Sequence, residues 1–541
     1  MSTGGDVSDQ LSRLKTRSGR SYEWIARRTH TSKSSVQRYC AGTATPPVFG
    51  VVERIALACG ASAEEVGCLF RAWDRERTAD SVPPPAPVPL EEARSEAAAV
   101  PRRRAWANTA FVTAVLVVVA VLVVRNGPAG GKPSGESTGG SRPAVTVEPS
   151  WKRGAMVVPA SFFGVTINSS TGAMPGIRVG AVRLWDSQTR WAQLEPSRGT
   201  YDWTVLDRLV DGAGKAGLPV LFTFGGTPRW ANPEAPAAAY PDGSRAAPPT
   251  DLTDWEEIVR SVSRRYAGRI EAYEVWPLGN DPRFFNGGVG TLVDMTRRAS
   301  RILRAADPGV TVVCPGMGNL WTTEGQAVLR RFAEAGGYDH CDVASVKLYQ
   351  RRPGDAPETM LDLVATIDQL MHASGVQPRL WVTGTTFGIS EQAPLPAELL
   401  RAHATRYYLT GLYGKALNIE RMYYYNWGGS RIPLVLQAEG LPPTPAGQAV
   451  DRLQEWLDGA SVTSCQRGAT ARRGSTWQCR VEFSKPRQRA ATVRWTDTGT
   501  VDVEAGPRDV AVRDLDDRVT PVRPGDRITV SPEPVLVEQN G

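Results

Sequence analysis

Apolar and polar positions divide the chain into unlike parts. Between residues 8 and 78, apolar residues recur at helical spacing in short blocks: "DQLSRLKTRS", "SYEWIARRTHTSKSSVQRYCAG" and "VFGVVERIALACG". This pattern predicts a compact all-α bundle. Ile25 and Ala26 would face its core from one short helix and Val36 and Tyr39 from the next, with Thr31 or Ser32 as the N-cap between them. From about residue 155 the rhythm changes. Short apolar runs ("SFFGVTI", "AVRLW", "PVLFTFG", "IEAYEVW", "VTVVCPG", "VASVKLY", "RLWVTG", "RMYYYNW") are separated mostly by amphipathic stretches such as "TVLDRLVDGAGKAG" and "LVDMTRRASRILRAAD". Strands and helices alternating in this way over residues 151–458 predict a (β/α)8 TIM barrel. An open doubly wound sheet is disfavoured, because no Gly-rich phosphate loop follows the first strand. Residues 459–541 read as short strands, "TWQCRVEFS", "ATVRWTD" and "DRITVSPEPVLVE", and predict a small β-sandwich.

Three segments separate the bundle from the barrel. Residues 79–104 form a Pro/Ala-rich charged linker, and residues 125–150 a Gly/Ser/Pro-rich one. Between them, residues 106–124 read "WANTAFVTAVLVVVAVLVV", free of charge throughout. About twenty such residues suffice for a membrane-spanning helix. Arg102, Arg103 and Arg104 immediately precede the run, which by the positive-inside rule predicts a cytoplasmic N-terminus and an extracytoplasmic C-terminal part. The expectation is a multidomain, single-pass protein of the cell membrane.

Composition adds detail. The 541 residues carry 63 basic and 56 acidic side chains, so the net charge of +7 does not describe a uniformly basic nucleic-acid binder. The basic bias is local: between Arg13 and Arg38 there are eight basic residues and one acidic, Glu23. Arginine far outnumbers lysine and alanine is abundant, as in a GC-rich bacterial genome. Cys40, Cys59 and Cys68 show no metal-ligand spacing, and neither a metal nor a cofactor is expected. Cys465 and Cys479 flank the apparent turn "QRGATARRGSTWQ", which predicts a hairpin-closing disulfide; pairing of Cys314 with Cys341 stays open.

The N-terminal block resembles the Cro-repressor (Xre-type) helix-turn-helix family, over about seventy residues. A departure is Cys40, where that family usually has glutamate. The resemblance implies that the second helix of the motif enters the major groove, with Lys33, Ser34 and Gln37 at base edges and Arg38 on phosphate. A helical protein-interaction module is the alternative.

The stretch "VRLWDSQTRWAQLEPSRGTYDWTVLDRLV" followed by "FTFGGTPRWA" resembles the clan A glycoside hydrolases, most of all the family-thirty-nine xylosidase and iduronidase group. In that group the fourth strand ends in a motif whose glutamate is the general acid/base. The aligned residues here are Trp276, Pro277, Leu278, Gly279 and Asn280, so Leu278 stands at the acid/base position. The seventh strand, "WVTGTTFG", puts Gly384 at the nucleophile position, and the family's His-x-Tyr becomes Lys347-Leu348-Tyr349. Retaining hydrolysis needs two carboxyl groups about 5–5.5 Å apart. Leucine and glycine supply neither. Asp281 and Asp186 are the candidates for relocated acids; Glu274 corresponds to an acid that the family also has, and is no substitute. What the resemblance leaves is binding equipment at strand ends: Arg183, Trp230, Trp276, Asn280, Lys347, Tyr349 and Trp427.

These readings combine into a transmembrane transcriptional regulator, in which a degenerate, non-catalytic barrel binds an oligo- or polysaccharide outside and the helix-turn-helix binds DNA inside, with homodimerisation left open. Two alternatives stand beside it: a membrane-anchored glycoside hydrolase with atypical catalytic residues, and an adaptor between cell envelope and cytoskeleton.

Overall fold

The computed structural model describes residues 6–62 except 30, 45–48, isolated positions from there to 76, and 156–540 except 353, 385–394, 430–433, 470–474 and 484–488. They fall into two compact units, residues 1–143 and 144–541.

The first unit contains α1 (Val7–Ser18), α2 (Tyr22–Thr29), α3 (Lys33–Cys40) and α4 (Phe49–Ala58). Each boundary has a local cause. Asp6 caps α1 by accepting from the Asp9 amide, and Gly19 ends it in the left-handed region at φ 64°. Ser32 caps α3 by accepting from the Ser35 amide. Val7, Leu11, Ile25, Val36, Val52 and Ile55 close over one another as the core. Tyr39 packs against that core from a partly buried position.

The second unit is a closed parallel barrel of eight strands: β1 (Phe163–Ile167), β2 (Ala181–Leu184), β3 (Val220–Thr223), β4 (Ala272–Glu274), β5 (Thr311–Val313), β6 (Val343–Val346), β7 (Arg379–Val382) and β8 (Ile419–Trp427). Helices follow seven of them: α5 (Thr204–Lys215), α6 (Leu252–Arg265), α7 (Val289–Ala306), α8 (Thr323–Glu334), α9 (Met360–Ala373), α10 (Ala397–Tyr413) and α11 (Pro445–Leu457). Between β1 and β2 no helix occurs. Then come β9 (Ala460–Ala469), β10 (Ser475–Phe483), β11 (Arg489–Thr496), β12 (Val501–Glu504), β13 (Asp509–Arg513), β14 (Val519–Pro521), β15 (Arg527–Val530) and β16 (Val535–Gln539). A two-residue strand, Met156–Val157, joins β9, β10, β11, β16, β13 and β14 in one sheet, while β12 and β15 pair as a separate two-stranded sheet. One face of the large sheet is seated on the barrel. Trp495 donates to Glu358 at 2.7 Å, Arg406 pairs with the same carboxylate, and Trp477 meets Tyr413 edge-on at 5.0 Å. Disulfides join Cys465 to Cys479, directly opposite each other on β9 and β10, and Cys314 to Cys341.

The structure corrects the expected membrane-spanning architecture. No helix among the described residues is long and apolar enough to cross a membrane. The longest, α7 at 18 residues, is amphipathic and carries Arg297, Arg298, Arg301 and Arg304. The expected transmembrane helix, and the single-pass membrane location inferred from it, rested on the run at residues 106–124, which lies outside the described residues.

Candidate functional site

Side chains of a strand alternate in direction, so every second residue of a barrel strand points inward. One inward layer is apolar: Ala181, Leu221, Ala272, Val343, Trp381 and Tyr423 pack together within it. Two residues further along five of these strands the layer turns polar, with Arg183, Thr223, Glu274, Ser345 and Thr383, all buried. Lys347 stands two residues beyond Ser345.

These groups converge on Glu274. Its Oε2 accepts from Arg183 Nε at 2.9 Å, Arg183 Nη2 at 2.6 Å and Thr223 Oγ1 at 2.7 Å. Its Oε1 accepts from Ser345 at 2.6 Å, Thr383 Oγ1 at 2.8 Å and Lys347 Nζ at 3.0 Å. Lys347 also donates to Thr383, at both its carbonyl and its hydroxyl. Burial opposes charge on Glu274, but the two cations and the hydroxyls outweigh it and hold the carboxyl down at about 2. Burial pushes the Lys347 ammonium down to about 7, against the pull of Glu274. Glu274 is therefore ionised and accepts three bonds on each oxygen. It has no proton to give, and no lone pair free to attack.

Around this cluster the backbone comes close. A Cβ built on Gly316 would lie 2.4 Å from the Pro277 carbonyl and 2.7 Å from Glu274 Oε1, so only glycine fits there. Leu278 is partly buried, and its Cδ2 would lie 2.6 Å from a Cβ built on Gly318. At Gly384 a Cβ would meet, among the described residues, only the Lys347 side chain, at 3.4 Å. The positions aligned with the acid/base and the nucleophile thus flank the Glu274–Lys347 pair, one apolar and one without a side chain.

Neither candidate for a relocated acid is free. Asp281 is buried and accepts from the Arg283 amide at 3.0 Å and from its guanidinium at 3.1 Å. Asp186 accepts from Arg190 at 2.5 Å and from the Tyr425 hydroxyl at 2.5 Å. Arg190 in turn pairs with Asp242 and lies 4.3 Å over the Tyr240 ring.

The remaining barrel candidates do not form one cluster. Trp276 is fully buried against Trp255 and Phe285, with its indole N–H on the Phe284 carbonyl. Trp427 is buried and donates to Gln437. Asn280 ties the loops after β4 and β5, donating to the Gly318 and Gly325 carbonyls and accepting from the Gly318 amide. Trp230 is half-buried, donates to the Glu195 carbonyl and lies under Arg198 at 4.8 Å. Tyr349 is nearly buried, and burial with the nearby Asp281 charge pushes its hydroxyl up to about 12. Only Arg183 and Lys347 meet, on Glu274. The hydroxyls of Thr223, Ser345 and Thr383 escaped the sequence reading. A polar residue two places beyond an apolar inward position, repeated on several strands, is the signal that would have found them.

In the first unit Lys33, Ser34, Gln37 and Arg38 are all exposed on α3, whose buried side carries Val36 and Cys40. Lys33, Gln37 and Arg38 make no side-chain bond among the described residues, whereas Ser34 touches Ser32 at 3.0 Å. Arg27 and Arg28 are exposed at the end of α2. Arg17 is committed elsewhere, paired with Glu65 at 2.5 Å.

Comparison with known proteins agrees with this division. A helix-turn-helix domain family matches residues 6–67. A family described as beta-galactosidase, among the glycoside hydrolases, matches residues 166–255. No curated protein is similar enough to the chain to count as a match. Among solved structures, a family 39 glycoside hydrolase from the gut symbiont Bacteroides cellulosilyticus is 16% identical with a TM-score of 0.52, over 71% of this chain and 82% of that one. A glucosidase from Croceicoccus marinus is 14% identical with a TM-score of 0.50, over 72% of this chain and 97% of that one. At such identities the likeness is one of fold. The chain carries a helix-turn-helix domain and a glycoside-hydrolase-like barrel.

Proposed function

We propose that this protein is a DNA-binding regulator of the Cro/Xre type whose barrel binds carbohydrate without hydrolysing it. The observation that carries the reading is the state of the barrel centre. Glu274, the carboxylate at that centre, is fully bonded to Arg183, Lys347 and three hydroxyls, and in the resemblance read from the sequence Leu278 and Gly384 take the places of a retaining hydrolase's two carboxyl groups. A site that cannot turn its ligand over can still hold it. In this reading Arg183 and Lys347 are spent on Glu274 and do not touch the ligand, and the half-buried Trp230, in the loop after β3, and Tyr425, near the end of β8, meet the sugar.

On the DNA side, α3 supplies base contacts from Lys33, Ser34 and Gln37 and a phosphate contact from Arg38. Two copies would read two half-sites about one helical turn apart. Selection of bound sequences from a random DNA pool by the full chain tests this. The reading predicts a defined motif that Lys33→Ala with Gln37→Ala abolishes. Recovery of no motif, or of one indifferent to those changes, counts against it. Repeating the selection with xylo-oligosaccharides present asks whether barrel occupancy alters DNA affinity, as regulation requires.

A further inference from the structure

The large sheet of the C-terminal sandwich has two dissimilar faces. Cys465, Trp477, Cys479, Val481, Val493 and Trp495 point to the barrel and are buried. The opposite face is apolar mainly where the β12–β15 pair covers it, through Ile528 and Val530 against Val535 and Val537. Beside that pair the described residues leave the same face uncovered, and there its side chains are polar apart from Ala490.

Strand register arranges this polar part in two rows. Ser464 lies opposite Arg480, and Arg480 opposite Thr492; Gln466 lies opposite Gln478, and Gln478 opposite Arg494. Together with Gln539 these side chains line a trough of about 260 Å3. That is at the small end of ligand sites, which run roughly 300–1,000 Å3, and suits a stretch of an extended ligand.

The trough looks cationic, yet each arginine already faces a carboxylate. Arg480 lies 3.5 Å from Glu482, and Arg494 lies 3.5 Å from the buried Asp509. A net anion site is therefore not what the charges build. What remains unmet is hydrogen bonding. Arg494 Nε, a donor, and Gln539 Oε1, an acceptor, are both buried without a partner among the described residues. Gln539 spends its amide N–H on Asp509, at 2.8 Å. Gln478 and Gln466 meet each other at 3.1 Å, which leaves further amide donors and acceptors turned outward. Paired unmet donors and acceptors on planar groups suit a ligand whose every polar group both donates and accepts, which is the nature of a sugar hydroxyl.

We propose that this uncovered face of the sandwich is a binding site for a neutral polysaccharide chain, separate from the barrel. The inference stands on the sandwich alone and does not need the barrel to bind sugar. With no aromatic ring among the described lining residues, it binds by hydrogen bonds to hydroxyl edges, and hence weakly.

Affinity electrophoresis suits weak binding. The full chain is run in gels cast with soluble arabinoxylan, mixed-linkage β-glucan or polygalacturonate. The expected result is slower migration in a neutral gel, with the apparent Kd raised about tenfold by Gln466→Ala with Gln478→Ala, the equivalent of one or two hydrogen bonds. Arg494→Ala should act in the same direction. Because Gln466 and Gln478 lie at the surface, their replacement leaves the fold intact, which the thermal transition checks. No retardation in either neutral gel, retardation in polygalacturonate alone, or retardation that the double variant leaves unchanged would overturn the proposal. Retardation surviving the double variant leaves carbohydrate binding to the barrel; its complete loss leaves the barrel reading without its ligand.

Discussion

On α3 and at the barrel centre the chain places polar side chains to opposite ends. Lys33, Gln37 and Arg38 stand exposed and find no side-chain partner among the described residues. Arg183, Glu274 and Lys347 stand buried and find one another. Exposed charges on a helix cost little and stay available to a partner. Buried charges are tolerated only when fully matched, and a matched group has nothing left to offer. At the barrel centre Glu274 serves the structure, held by its two cations.

If Glu274 is structural, removing its charge should produce the largest effect. Glu274→Gln leaves Arg183 and Lys347 without a counter-ion in a buried site, and denaturant unfolding of the barrel should show a loss of about 3–5 kcal/mol. A loss below about 1 kcal/mol would mean that the cluster is wetter and looser than described.

The same group gives a pH signature. Its folded pKa is depressed from 4.5 to about 2, so its stabilisation is complete above 4.5 and is lost as the pH falls from there toward 2. Glu274→Gln should flatten that part of the stability profile, and an unchanged slope would assign the acid sensitivity to other carboxylates. Gly316→Ala, forced against the Pro277 carbonyl and Glu274, should cost about 1–3 kcal/mol by overpacking, read from the same unfolding curves.

Changes on α3 should behave differently, affecting binding while stability stays level. Gln37→Ala should cost about 1–3 kcal/mol of discrimination at one base pair, measured by titrating cognate and mismatched duplexes. Arg38→Ala should weaken all sequences alike and reduce the salt slope of binding by about one. A thermal transition lowered by either change would show that these side chains serve the fold.

Legibility from sequence followed the same division. Helix spacing, the Ser32 cap and the apolar strand runs were readable because they depend on neighbours along the chain. The barrel centre was not, because its meaning lies in contacts between residues far apart: Glu274 meets Arg183 across 91 positions and Thr383 across 109. Lys347 read as a ligand-binding group at a strand end, whereas its partner is internal. Trp276 and Trp427 read as ligand-binding groups because strand ends usually present them, yet both lie buried with their N–H groups bonded. The span inferred from residues 106–124 rested on hydropathy alone, and the described helices do not supply one.

The most direct test of the central claim is release of reducing sugar by the full wild-type chain from a panel of plant and bacterial wall glycans, between about pH 4 and 8, where a pair of catalytic carboxyl groups would titrate. With Glu274 bonded on all sides, and leucine and glycine at the positions that the resemblance gives to the two catalytic carboxylates, the account predicts no release above buffer. Release that Asp186→Asn or Asp281→Asn abolishes would contradict it, and would show that the barrel rebuilt its chemistry on different acids.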